Sequence, residues 1–355
     1  MLKYKKQIIA FSILPQIIFV KLIAHYPEFV ERYYSNGLYV FISKLMHYAF
    51  GWIPFSVGDL FYTIASVYIL RWLIVNRKRI IKDTKQWSLD VLTAFSIGYF
   101  AFHLLWGFNY YRLPLHKLLK IDSEYTTEEL ITFTKQLIDK ANDTQFSITK
   151  NDTLKVEMPF TKTELLNLVP KGYAELSKTF PHFAYPVKSL KRSLYSLPLT
   201  YMGFSGYLNP FTNEAQIDGL IPKYNYPATA SHEVAHQLGY AAENEANFIG
   251  SLAAMRHSNV YFRYSGYTFA LSHCLNEIYL RDSNQYDTLV KSINKGILKN
   301  YREANTFWRM YQNPLEPAFK ISYNSFLKAN NQTKGIESYN YVVALLVNYF
   351  KTKSL

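Results

Sequence analysis

Three stretches in the first third of the chain stay apolar long enough to cross a bilayer, while the remainder alternates apolar and polar positions as a helical domain in water does. Gln7 to Ala24 is apolar apart from Lys21, comes after Lys3, Lys5 and Lys6, and contains Pro15. No small-x-small cleavage site follows LIAHY, so an uncleaved anchor helix over 7–24 is expected rather than a signal peptide, with Lys21 snorkelling at its outer end. A second span is expected over 53–75, with Asp59 and Arg71 near enough to its ends to reach the interface. The third, over 91–111, carries no formal charge in 21 positions and ends in WGFNYY, which reads as an aromatic belt at the membrane surface.

The connections orient these spans. Arg77, Lys78, Arg79, Lys82 and Lys85 cluster between the second and third, whereas the loop after the first balances Arg32 and Lys44 against Glu28 and Glu31. The positive-inside rule then puts the N-terminus and the basic loop in the cytoplasm and everything after Arg112 outside it. Two domains are expected: a membrane domain over 1–112 and an extracytoplasmic domain over 113–355. Within the loop after the first span, Leu38, Phe41, Ile42, Leu45, Met46 and Ala49 recur at helical spacing. We read them as a helix packed on the spans, with a helix lying in the membrane surface as the alternative.

Beyond Arg112 the pattern predicts a mainly α domain with a small sheet. Thr126-x-x-Glu129 and Thr161-x-x-Glu164 have the form of capping boxes opening helices, the first with Leu130, Phe133, Leu137 and Ala141 on one face. Pro170, Pro181 and Pro186 are expected to break up the next stretch of chain. The run SLYSLPLTYMG, with Gly203, Gly206 and Pro210 after it, reads as short strands and turns, and GFSGYLNPF as a hairpin or irregular turn. From Val260 onward the pattern is helical. The final SYNYVVALLVNYF is interrupted by Asn348 and too short to span, so a buried helix is expected.

Composition changes this picture in three places. A mean hydropathy near zero averages a greasy end with a soluble one. Of the net charge of +13, the first 112 residues supply +8, so most of the basic excess reports topology and gives little case for nucleic acid as a partner. The lone Cys274 excludes an internal disulfide, and with its neighbour His273 pointing elsewhere on a helix it reads as a buried structural thiol.

The candidate chemistry lies in SHEVAHQLGYAAENEANF, Ser231 to Phe248. On a helix His232 and His236 stand one turn apart on one face, where two imidazoles can meet one zinc ion, and Glu233 beside them can move a proton. Chance gives this pattern in roughly one chain in a hundred of this composition, so the residues after it matter. Were the helix to continue, Glu243 would stand roughly 16 Å beyond His232 along the axis, out of reach. The chain must bend at Gly239, in a left-handed C-cap, to return Glu243 to the metal. A new helix would begin near Ala241, with Glu243 and Asn247 one turn apart and Glu245 pointing elsewhere.

Glu243-Asn-Glu-Ala-Asn247 resembles the E-x-x-A-D/N signature of the third-ligand helix in Ste24/HtpX-like and ImmA-like zinc peptidases. That resemblance implies that Glu243 binds zinc and Asn247 supports the ligand shell, with Glu245 the reserve. The wider run, from GFSGYLNPFTNEAQ through HEVAHQLGYAAENEANF to LKANNQTKGIESY, looks like a bacterial membrane family known as domain of unknown function 3810, over nearly the whole chain. It implies a zincin-like site. In the better-known families the third ligand lies on a well-separated helix, whereas here Glu243 comes only seven residues after His236, closer to the glycine-turn design of metzincins.

The expectation is therefore a membrane-anchored zinc metallopeptidase acting on a peptide or protein substrate, with His232, His236 and Glu243 as ligands and Glu233 as general base. The alternative is a non-catalytic zincin-like membrane protein with a structural zinc site or a bound partner. Tyr240, Tyr264, Tyr267 and His257 are candidates to stabilise an oxyanion; in a chain with 31 Tyr, packing is the simpler role for each tyrosine. By analogy with zincins, Asn213 to Asp218 is a candidate substrate-pairing edge strand, with an ordinary core strand as the alternative.

Overall fold

The computed structural model describes residues 4–332 and 341–355. Lys3 lies outside these residues, as do the last seven positions of LKANNQTKGIESY and the first three of the final helical pattern. Three helices are long and apolar enough to cross a membrane: α1 (Lys5–Ile23), α3 (Val57–Asn76) and α4 (Thr84–Leu105). Little of their surface is buried within the protein, as expected where lipid replaces a protein partner. The third span begins and ends earlier along the chain than its apolar run suggests. Residues Gly107–Tyr111 form a 3-10 turn with Tyr110 and Tyr111 buried, so WGFNYY is a packing element rather than an interfacial belt.

Asp59 also departs from expectation. It is fully buried, and its carboxylate accepts from Ser193 Oγ (2.9 Å), the Leu194 N–H (2.6 Å) and the Tyr207 hydroxyl. Nearby, Glu214 accepts from the N–H groups of Val57 (3.2 Å) and Gly58 (2.5 Å). The start of α3 is thus tied to the domain it carries by carboxylates at its positive end.

Helix α2 (Tyr39–Phe50) comes directly after a π-helical stretch, Val30–Leu38. Its buried residues are Tyr39, Ser43 and His47, while Phe41 and Leu45 are exposed. The expectation of an apolar face packed on the spans is therefore overturned. The polar stripe faces the protein, with His47 Nε2 2.7 Å from Asn213 Oδ1, while Ile42 and Met46 of the apolar stripe are half-buried and Leu38, Phe41 and Leu45 exposed.

Both capping boxes form as read, opening α5 (Thr127–Thr149) and α6 (Lys162–Ser177). Helix α6 runs through Pro170 instead of stopping there. It is held by close packing at Gly172, where a Cβ would stand 2.4 Å from the Ala253 carbonyl oxygen. After strand β1 (Leu190–Arg192), Ser196–Met202 is helix α7, not strand. Pro198 sits in its first turn, where an N–H is dispensable, and Gly203 at φ +79° caps it. β2 (Gly206–Asn209) and β3 (Glu214–Ile217) form the hairpin anticipated in GFSGYLNPF, closed by Asn209 Oδ1 accepting from the Phe211 and Thr212 N–H groups.

The sheet order is β1-β3-β2, with β1 parallel and β2 antiparallel to β3. The segment within Asn213 to Asp218 is thus the central strand, and β1 and β2 are the edges. Helix α8 (Tyr226–Gln237) packs on the sheet, and α9 (Glu243–Met255) and α10 (Val260–Arg281) pack on α8 and on each other. α11 (Lys295–Met310), α12 (Glu316–Ala329) and α13 (Val342–Phe350) complete the domain, with α13 buried as expected. The main core joins α5, α6, α8, α9, α10 and α13. A second core, including Tyr34, Tyr39, Trp106, Tyr111 and Ala241, sits where the spans meet the domain. Arg112 lies in this junction, bonded to Glu31 and to the Gly239 carbonyl.

Candidate metal centre

Helix α8 opens with Pro227 in its first turn and is small and apolar at Ala228, Ala230, Val234 and Ala235, all buried. Small residues let a neighbour approach: a Cβ at Gly250 of α9 would stand 2.6 Å from the His232 nitrogen. The helix ends at Gln237. Gly239 then turns at φ +85° while the Tyr240 N–H returns to the Ala235 carbonyl (3.1 Å), a left-handed C-cap as the spacing required. Helix α9 begins at Glu243, slightly later than expected, with Glu243 in its first turn.

The bend brings three donor atoms together. His232 Nε2 and His236 Nε2 are 3.0 Å apart, and Glu243 Oε2 lies 3.3 Å from the first and 3.7 Å from the second. Tetrahedral zinc with ligand bonds of about 2.05 Å separates its ligands by about 3.3 Å. The His236 Nδ1–H donates to the Tyr240 carbonyl (2.7 Å), which in the neutral ring leaves the Nε2 lone pair for the centre. Two imidazole nitrogens and a carboxylate oxygen converging on one buried point form a donor set that fits zinc.

Charge in the site results from that crowding. Burial opposes a charge on His236, but the Glu243 carboxylate outweighs it and pushes the imidazole up to about 9. Burial likewise opposes the Glu243 charge, and the two histidines overcome it to hold that carboxyl well below its usual range. Glu243 Oε1 accepts from the Tyr323 hydroxyl of α12, which turns Oε2 toward the histidines.

Glu233 stands beside the cluster, its carboxylate within 4.8 Å of both imidazoles. Burial raises its pKa above the usual carboxylate value, with the histidines opposing and Glu243 assisting. Its Oε2 has no hydrogen-bond partner among the described residues. Gly206 of β2 is what admits it: a Cβ there would lie 2.6 Å from Glu233 Oε1.

Groups that the sequence pattern did not single out hold the bend from the membrane side. The Tyr39 hydroxyl donates to the Gln237 carbonyl (2.8 Å), Trp106 Nε1 to that of His236 (3.1 Å), and Arg112 Nη1 to that of Gly239 (3.0 Å). Arg112 also pairs with buried Glu31 (2.7 Å) and lies 3.9 Å from the Tyr240 ring centre. These groups satisfy the carbonyls that a helix C-terminus leaves open. Their separation in sequence, 130 residues for Trp106 and 127 for Arg112, leaves no local signal.

Glu245 is not brought to this point. It accepts from the Leu115 N–H (2.6 Å), and burial raises its pKa to about 7. Asn247 borders the cluster, but its Nδ2 has no hydrogen-bond partner among the described residues, so no bond to a ligand from that atom is seen. Of the four oxyanion candidates none reaches the cleft. Tyr240 stacks on Arg112, Tyr264 donates to Asn300 Oδ1 (2.7 Å), Tyr267 is buried, and His257 meets the Leu168 carbonyl (3.1 Å). Tyr323 and His273 line it instead. His273 stands eight residues before Arg281, the end of α10, and the sequence pattern singles it out only as a neighbour of Cys274 that points elsewhere.

The centre opens into a cleft of about 1030 Å³. Gly206, Tyr207 and Leu208 of the edge strand form one wall, beside Glu233, and aromatic and aliphatic side chains form most of the rest. Among comparisons with known proteins, no curated protein and no solved structure matches the chain. A family described as protein of unknown function (DUF3810) matches residues 34–347. With that match covering most of its length and the converging His232, His236 and Glu243 within it, the chain belongs to the DUF3810 family.

Proposed function

We propose that this protein is a membrane-anchored zinc metallopeptidase with a zincin-like centre akin to those of Ste24/HtpX-like and ImmA-like peptidases. The observation that carries the reading is the convergence of two imidazoles and the Glu243 carboxylate on one point, beside a Glu233 carboxylate oxygen with no hydrogen-bond partner among the described residues. Zinc held by His232, His236 and Glu243 would supply Lewis-acid charge and an acidified water. Glu233 takes the proton from the attacking water and passes it to the leaving amine, a task suited to a carboxylate whose pKa burial raises. The free edge of β2 pairs with an extended chain and lays its carbonyl beside Glu233. His273, lining the cleft, is the side chain placed to meet charge developing on that carbonyl, since the Tyr323 hydroxyl is already donated to Glu243.

The basic connection from Arg77 to Lys85 lies at the far ends of α3 and α4 from the centre, which supports a cytoplasmic loop and an extracytoplasmic site. A second reading has one observation in its favour: Glu233 is close enough to the histidines to serve as a fourth ligand, closing a structural site. One variant separates the two. Purified Glu233→Gln retains zinc and loses cleavage of a peptide library if Glu233 is the base, and loses zinc if it is a ligand; equal cleavage by wild type and variant removes the peptidase proposal.

A further inference from the structure

The cleft does not open only to water. Its walls include Tyr62 of α3 and Phe102 of α4, residues that belong to the apolar spans. Tyr62 is five residues inside the site-bearing end of α3 and Phe102 three inside that of α4, depths of about 7 Å and about 4 Å at 1.5 Å per residue. A cleft whose wall reaches that far along two candidate spans borders on whatever surrounds them.

Its rim has the surface of a membrane contact. Helices α7 and α12 line the cleft and touch each other, and Asn313 Nδ2, in the turn before α12, donates to the Tyr201 carbonyl of α7 (2.7 Å). α7 abuts the span, since the Tyr195 hydroxyl lies 2.6 Å from Thr63 Oγ1 and donates to the Asp59 carbonyl (3.0 Å). α12 reaches the other span, with Phe326 6.0 Å from the Phe102 ring. Large apolar side chains on these helices point outward: Leu197 is 52% and Ile321 67% exposed. α2 repeats the theme with its polar stripe buried and Phe41 and Leu45 outside, an inversion that suits a helix bathed in lipid and has no use in water. The exposed apolar surface of the rim thus adjoins that of the spans.

We infer that the rim formed by α7 and α12 is immersed in the membrane interface and that the cleft admits its occupant sideways from the bilayer. That occupant is a polypeptide bearing a membrane-inserted apolar segment, with the extended stretch next to that segment laid along β2. An apolar trough joined to the span surface accepts the greasy part of such a chain, and the unpaired edge of β2 supplies main-chain hydrogen bonds that a lipid acyl chain cannot use. The choice of a polypeptide rests on the peptidase reading; the immersion of the rim does not.

The test uses the full-length protein in liposomes. In a Cys274→Ala background, Leu197→Cys and Ile321→Cys each carry a fluorophore, and the lipid is phosphatidylcholine brominated on its acyl chains. Quenching as strong as at Leu70→Cys in α3, with none at Leu154→Cys, whose carbonyl is bonded by Gln145 of α5, is the expected result. Quenching at the rim no greater than at Leu154→Cys overturns the immersion. In a second arm, benzoylphenylalanine at Met202 in the cleft wall is irradiated with a synthetic peptide made of a polar arm and a leucine-rich span, or with the arm alone. Cross-linking to the spanning peptide only is expected; equal labelling of both, or labelling of phospholipid only, overturns the assigned occupant. Neither arm needs zinc or turnover. Zinc-free, inactive protein that still passes both would end the peptidase reading alone, and an active peptidase that fails both would end this inference alone.

Discussion

Replacing Gly239 by alanine puts the greatest stress on the bend that makes the centre. Gly239 sits at φ +85°, where a Cβ meets its own backbone at a cost of about 1–2 kcal/mol. That Cβ would also stand 2.9 Å from both Asn109 Oδ1 and Tyr39 Cε1, with little room for either to retreat from the second core. The metal-bound state needs Glu243 folded back, whereas the metal-free chain can relax the turn, so the strain falls mainly on binding. At about 1.4 kcal/mol per factor of ten, Gly239→Ala should weaken zinc binding by roughly 5- to 30-fold from the backbone term alone. Competition against a fluorescent chelator, with protein in detergent micelles, reads this directly. Gly98→Ala, where a Cβ meets nothing within 4 Å, is the control and should bind as wild type does. Unchanged affinity in Gly239→Ala would refute the argument that this turn delivers the third ligand.

Two further outcomes concern the junction. Arg112→Met strands Glu31, a buried carboxylate, and should cost about 3–5 kcal/mol, while Arg112→Met combined with Glu31→Leu recovers much of it; a thermal midpoint for the single variant equal to that of the double contradicts this. Burial holds His47 down to about 4, below the unfolded value near 6.5, against the hydrogen bond to Asn213. The unfolded chain then takes up a proton that the folded one refuses, so stability present above pH 6.5 is lost as pH falls toward 4, by about 3 kcal/mol in all. Thermal midpoints of wild type should drop through that window and those of His47→Gln should drop less; parallel curves would remove His47 as the cause.

What could be read from the chain was whatever a single element encodes. His232 and His236 share a helix face by spacing, and Gly239 had to turn because a straight helix separates its ends. The capping boxes at Thr126 and Thr161 are likewise local. What could not be read depends on the identity of the neighbour. The stripe of Phe41 and Leu45 is the same stripe whether a core or lipid lies against it, so its period located α2 without saying which face is buried. Asp59 looked like a residue reaching for water because its hydrogen-bond donors, Ser193, Leu194 and Tyr207, come more than a hundred residues later. WGFNYY has a belt's composition, yet Trp106 and Tyr110 are occupied by His236 and Phe326. Arg112 and Tyr323, which shape the centre from opposite sides, are invisible for the same reason. Ser196–Met202 was a failure of local reading, since Pro198 and Gly203 are placed as a short helix places them.

The most direct test of the account is the zinc content of the purified full-length protein by mass spectrometry, comparing wild type with Glu243→Ala and Glu245→Gln. The folded-back carboxylate at Glu243 predicts one zinc per chain in wild type and in Glu245→Gln, and its loss in Glu243→Ala. Wild type without zinc, or zinc retained in Glu243→Ala and lost in Glu245→Gln, would contradict it.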